Sequence, residues 1–115
     1  MDQVSSRAGL SDVIRAILDS GLRTTAVVSD DGMLVGVVTE GDVLRAVGRG
    51  GGPGLLAEEL LSLTPQFLVE PESDEDLILQ FLESGHLAVP VVDAEGHFLK
   101  LESTSAAVQR LLSKQ

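Results

Sequence analysis

The sequence predicts an α/β (α+β) fold made of two tandem copies of one small unit. Three observations carry that prediction. Sliding the 115-residue chain on itself by 64 positions lays residues 11–32 over 75–96 without a gap, and eight of the 21 positions from Asp12 to Gly32 are identical. Within each copy the apolar spacing runs from helical to strand–turn–strand and back to helical. Between the copies lies GRGGGPG (48–54), with five glycines and one proline in seven residues, the composition of a connector. The chain therefore divides into a first repeat, 1–50, and a linker helix plus second repeat, 51–115.

Each element follows from local chemistry. Gln3 to Ser6 is the only stretch available as a leading strand in the first copy. Val13, Ile14, Ile17 and Leu18 recur at helical spacing over 11–20, and Gly21 supplies a left-handed C-cap. Ala26 to Val28 and Met33 to Val38 read as strands around the turn Ser29-Asp30-Asp31-Gly32, and so as a hairpin. Glu40 to Val47 closes the copy as a helix. Leu55 to Leu63 reads as an amphipathic helical turn or two, ended by Thr64-Pro65. In the second copy Gln66 to Val69 is the leading strand, and Leu77, Ile78, Phe81 and Leu82 form the helical stripe. Val89 to Val92 and His97 to Leu101 make the hairpin, and Ala106 to Leu112 the last helix. Lys100 and Glu102 alternate with Leu99 and Leu101, which predicts one polar face on that strand.

Composition removes several function classes. Eighteen acidic against eight basic residues give a formal charge of −10, the wrong sign for nucleic acid or an anionic membrane surface. There is no Trp or Tyr to stack on bases. Without cysteine there is no disulfide, thiolate nucleophile or zinc-thiolate site. No apolar run is long enough to span a bilayer and MDQVSSRAGL is no signal peptide, so the expected compartment is the cytoplasm. His86 and His97 are the only histidines, are not at metal-ligand spacing, and form no cluster with carboxylates along the sequence; no metal site is expected. The acidic run Glu70, Glu72, Asp74, Glu75, Asp76 suits a helix start, and Ser73-x-x-Asp76 has cap spacing. No nucleophile–base or metal set can be assembled, so the chain is not expected to be an enzyme.

The sharpest motif is Gly36-Val37-Val38-Thr39-Glu40-Gly41-Asp42, where a strand passes into a helix. Thr39 and Asp42 have the spacing of a capping box, the hydroxyl accepting from a first-turn N–H and the carboxylate reaching back to the cap amide. The same geometry suits a ligand. Free N–H groups at a helix start attract phosphate. A hydroxyl there donates to a ribose or phosphate oxygen, and a carboxylate accepts from both hydroxyls of a ribose. The readings are compatible, since one side chain can cap when empty and bind when loaded.

The run AVVSDDGMLVGVVTEGDVLRAV (26–47) resembles a cystathionine-β-synthase (CBS) domain, and 69–99 resembles it again, with Val89-Pro90-Val91-Val92-Asp93 matching the family's hydrophobic-Pro-Val-Val-Asp signature. The resemblance implies a Bateman module, a CBS-domain pair of β-α-β-β-α units whose two small mixed sheets pack together. It implies a regulatory function: sensing an adenosine-containing ligand (AMP, ADP, ATP or S-adenosylmethionine) in the cleft between repeats, on behalf of an enzyme or transporter in trans, as a homodimer. No required cofactor is implied. An architectural module for dimerisation or partner contact, with no nucleotide, is the alternative.

Carried over by residue, Gly36, Thr39 and Asp42 match the family's Gly-x-x-Thr/Ser-x-x-Asp signature. Asp42 would grip the ribose hydroxyls and Thr39 the ribose or phosphate. Thr25 and Ala26 would offer backbone groups to adenine, Val27 an apolar wall, and Val4, Ser5 and Ser6 the opposite side. Ala26 stands where the family has proline. Arg23, Arg45 and Arg49 are candidate phosphate partners, whereas Glu40 opposes a polyphosphate, which favours AMP or a neutral adenosine derivative. In the second copy Lys100, Ser103 and Ala106 fall on the signature positions, so a hydroxyl remains there but the carboxylate does not.

Overall fold

The computed structural model describes residues 3–62, 67–84 and 88–114. The first repeat contains β1 (Gln3–Ser5), α1 (Leu10–Ser20), β2 (Thr24–Val28), β3 (Leu34–Thr39) and α2 (Glu40–Gly48). The second contains β4 (Leu68–Val69), α3 (Asp74–Ser84), β5 (Ala88–Val92), β6 (Phe98–Ser103) and α4 (Thr104–Ser113). Each forms a three-stranded mixed sheet, β1-β2-β3 and β4-β5-β6, with a parallel first pair and an antiparallel second pair.

The 64-residue offset holds at the level of hydrogen-bond register. Val4 pairs with Val27 and Leu68 with Val91; Thr24 pairs with Thr39 and Ala88 with Ser103. Both hairpins shift register at the same place, between Val27 and Val28 and between Val91 and Val92. The two turns then meet: Leu34 N–H donates to Gly96 C=O (3.1 Å), and Phe98 N–H donates to Gly32 C=O (2.9 Å). Each bond is the other's image under the offset, so a pseudo-twofold axis passes between the hairpin tips.

β2 is buried along its whole length because it is the central strand of its sheet and lies close to β6 of the other. Strand alternation puts Val27 in the helix-side core with Val4, Val38, Val13 and Ile17. The second core is smaller and is built on Leu77, Phe81, Val89 and Ala107. Gly21 takes the expected left-handed conformation (φ 68°), and its N–H donates to Leu18 C=O. The helical stripes are split. Val13, Ile17, Leu77 and Phe81 are buried, whereas Ile14, Leu18 and Leu82 lie at the surface.

One expectation requires correction. The described residues 55–62 form a single three-residue 3-10 turn, Ala57–Glu59, rather than an amphipathic helical turn or two, and otherwise run as a strap. Ala57 N–H donates to Ala8 C=O, Glu58 N–H to Ser6 C=O, and Ser62 N–H to Val37 C=O. Backbone partners in the segment after β1 and on β3 outcompete helix nucleation in so short a segment. Ala57 and Leu60 are buried in the first core, so the strap packs with the repeat it follows. The polar face expected on β6 carries exposed Lys100 and buried Glu102, paired at 3.4 Å. Glu102 and Ser103 are buried, while Leu99 is exposed. Glu102 accepts two hydrogen bonds from Arg110 (2.7 and 3.2 Å), which compensates its burial. The leading strand of the second copy is shorter than expected, Leu68–Val69. Thr64, Pro65, Gln66 and His86 lie outside the described residues.

Candidate functional site at the start of α2

Thr39 and Asp42 meet where β3 turns into α2. Thr39 is extended (φ −98°, ψ 164°), and its hydroxyl accepts from Asp42 N–H at 3.1 Å. Asp42 Oδ2 accepts from Thr39 N–H (2.8 Å) and from the Thr39 hydroxyl (2.9 Å). The capping box is complete. Asp42 Oδ1 lies 2.6 Å from an Arg45 guanidinium nitrogen, one helical turn on. The carboxylate is thus held at both oxygens, in a side chain only 9% exposed.

The amides at this helix start are partly used. Glu40 N–H donates to Arg23 C=O at 2.9 Å, and Asp42 N–H is taken by Thr39. A phosphate therefore meets fewer open donors than a bare helix N-terminus offers. Arg23 adopts φ 60°, in the left-handed region, which aims its carbonyl at α2 while its side chain stays exposed.

The structure separates the candidate residues into three groups. Thr39 and Asp42 form one, with Gly36 on the preceding strand. A Cβ built on Gly36 would lie 3.1 Å from Leu61 Cδ2, so the strap covers that position. Asp42 borders a cavity of about 390 Å3 between α2 and the strap, shared with Arg45, Arg49, Glu59 and Ser62. Val4, Ser5, Thr25, Ala26 and Val27 form the second group, paired across β1-β2-β3. Thr25 is fully buried, its hydroxyl donating to Ala26 C=O (3.3 Å). Val4 and Ser5 border a different cavity of about 520 Å3, against α1 with Asp12 and Arg15.

Arg23 and Ser103 form the third group, across a cavity of about 670 Å3 between the repeats. Gly21 and Leu22 line its first-repeat side, and Thr104 and Ser105, at the start of α4, its second-repeat side. The Ser103 hydroxyl accepts from Ala106 N–H (3.2 Å), a cap without a returning carboxylate. Residues 85–87, the sequence counterparts of Gly21–Arg23, lie outside the described residues.

Other sequence features resolve simply. Ser73 caps α3, accepting from Asp76 N–H at 3.1 Å, while the Asp76 carboxylate accepts from Gln80. The expectation that no histidine joins a carboxylate cluster is corrected. Asp93, Glu95 and His97 bring their potential ligand atoms within 4.8 Å of one another. The hairpin turn causes it, because Asp93 Oδ1 accepts from Glu95 N–H and His97 N–H. Those backbone donors, His97 first, lower the Asp93 pKa below the usual aspartate value. Glu95 and His97 are exposed. The ion-pair network around Glu102 was missed from sequence. Its one signal was the replacement of Leu10, Val38 and Ala46 by Asp74, Glu102 and Arg110 at the 64-residue offset. No helix among the described residues is long and apolar enough to cross a membrane.

Residues 3–49 match the family model for the CBS domain. A sequence comparison with curated proteins finds no match. Among solved structures, a CBS domain pair/ACT domain protein from Thermotoga maritima superposes with a TM-score of 0.77 at 23% identity, covering 99% of this chain and 90% of that one. A CBS domain protein from Pyrobaculum aerophilum complexed with AMP gives 0.73 at 18%, covering 96% and 90%. A CBS domain pair in complex with 5′-methylthioadenosine and S-adenosylmethionine gives 0.72 at 18%, covering 97% and 87%. Together with the register-matched repeats, these similarities identify the first repeat as a CBS domain and give the whole chain the fold of a CBS-domain pair.

Proposed function

We propose that this chain is a regulatory module that binds an adenosine-containing nucleotide at the start of α2. Asp42 accepts from the ribose hydroxyls, and Thr39 donates to the ribose or phosphate. The observation that carries the reading is the pairing of a hydroxyl and a carboxylate at one strand-to-helix junction, in the repeat that matches the family model. Structural neighbours in complex with AMP or S-adenosylmethionine support the ligand class. In this reading the backbone of β1 and β2, at Val4, Ser5, Thr25, Ala26 and Val27, offers the edge that adenine meets, while Gly36 lies under Leu61 of the strap. Arg23 from the first repeat and Ser103 from the second border the cavity between the repeats, where Ala106 supplies no carboxylate. One nucleotide per chain is expected, with AMP favoured over ATP because Glu40 stands in the first turn.

Exposed Leu18, Leu82, Leu44 and Leu112 on the four helices support assembly into a homodimer that acts on a regulated enzyme or transporter in trans. A second reading, an architectural module without nucleotide, draws on the full engagement of the Asp42 carboxylate. Calorimetric titration of AMP, ADP, ATP and S-adenosylmethionine separates the two. The nucleotide reading expects saturable heat for at least one ligand, and at least about a tenfold loss in Asp42→Ala with folding retained. No heat from any of the four establishes the architectural reading, and equal affinity in Asp42→Ala refutes a nucleotide grip at the start of α2.

A further inference from the structure

We infer that Arg45 is the specificity-determining residue of this site, switching between Asp42 and a ligand phosphate; the inference rests on the nucleotide reading above. Its guanidinium lies 2.6 Å from Asp42 Oδ1, the carboxylate oxygen that Thr39 does not hold. Arg45 reaches it by folding back over the first turn. The path runs close over Gly41, where a Cβ would lie in ordinary contact, 3.4 Å from one guanidinium nitrogen. The arrangement is confined to the first repeat, because Ser105, Ala106 and Gln109 occupy the positions of Gly41, Asp42 and Arg45 in the second.

A ribose diol reaching Asp42 competes with the guanidinium for Oδ1, because Thr39 already donates twice to Oδ2. With an unphosphorylated nucleoside the displaced cation returns to water and its ion pair is lost. With a 5′-phosphate it finds a new anion across the sugar, within the swing of a side chain that is already 60% exposed. Arg45 thereby penalises nucleosides and favours nucleotides at one site, a task that a fixed surface cation does not perform.

The test is the ratio of adenosine to AMP dissociation constants in the wild type, Arg45→Gln, Arg45→Lys and Asp42→Asn, with calorimetry as the readout and circular dichroism as the folding check. Freeing Asp42 in Arg45→Gln should tighten adenosine about two- to fivefold. Losing the phosphate partner should weaken AMP about tenfold, so the ratio falls by at least that factor. Arg45→Lys keeps the charge and should retain most of the preference. Parallel changes for both ligands in Arg45→Gln, or no change in either, overturn the inference while leaving the nucleotide reading intact. Unaltered binding in Asp42→Asn, or no binding to any of the four proteins, refutes the nucleotide reading and the inference together.

Discussion

Replacing Arg110 by alanine removes the guanidinium that links β6, α3 and α4. Arg110 donates to both oxygens of Glu102 (3.2 and 2.7 Å) and to Asp74 (3.1 Å). Glu102 is 4% exposed, and its other cation, Lys100, stands at 3.4 Å. Breaking a fully buried pair costs about 3–5 kcal/mol. The Arg110 side chain is 41% exposed, so solvent screening brings the expected cost to about 1.5–3 kcal/mol. In a chain of this length each kcal/mol corresponds to about 4 °C of melting temperature, which predicts a fall of about 6–12 °C by calorimetry. The first repeat supplies the control. It carries Val38 and Ala46 at the positions of Glu102 and Arg110, in the same register. The double variant Glu102→Val/Arg110→Ala should therefore recover at least half of the loss, because no buried charge is left unpaired. A single variant within about 2 °C of the wild type, or a double variant less stable than the single, would refute this account of the network.

Three further outcomes follow from local geometry. Gly51→Ala places a Cβ 2.5 Å from Leu55 Cδ1 and 2.8 Å from the Ala46 carbonyl oxygen, so it should cost about 1–3 kcal/mol in urea unfolding. Gly52→Ala, with nothing within 4 Å, should be neutral or slightly stabilising through the unfolded chain. Asp74 titrates below the ordinary 3.8, because Lys114 and then Arg110 bond its carboxylate. A lowered folded value contributes stability that is present above 3.8 and lost as the pH falls through the folded value, so Lys114→Met should make the acid limb of a stability–pH curve shallower below that point.

Much of the fold was legible because the repeat could be read twice. Val27-Val28 and Val91-Val92, with Gly32 and Gly96, set two hairpins in one register, and the coordinates keep that register strand by strand. The strap was misread for a physical reason. Leu55, Leu56, Leu60 and Leu61 have helical spacing, but the backbone donors go to Ser6, Ala8 and Val37, partners far away along the chain. The burial of Glu102 on the polar face of β6 was not legible, because only the fold brings Arg110, eight positions on, beside it. At the site, the spacing of Thr39 and Asp42 named the cap that the structure shows and the ligand grip proposed above. It could not show Arg45 on the second carboxylate oxygen, or the Arg23 carbonyl on Glu40 N–H. Both depend on how the chain folds back, through an arginine rotamer over Gly41 and a left-handed residue at position 23.

Amide chemical-shift mapping during an AMP titration measures directly whether Asp42 binds the proposed ligand and whether the first repeat alone does so. Saturable shifts confined to Thr39–Val43 and the neighbouring β1 and β2 amides, absent in Asp42→Asn, are the predicted result. Shifts centred on Ser103–Ala107 at the start of α4, or a spectrum that AMP leaves unchanged, would contradict it.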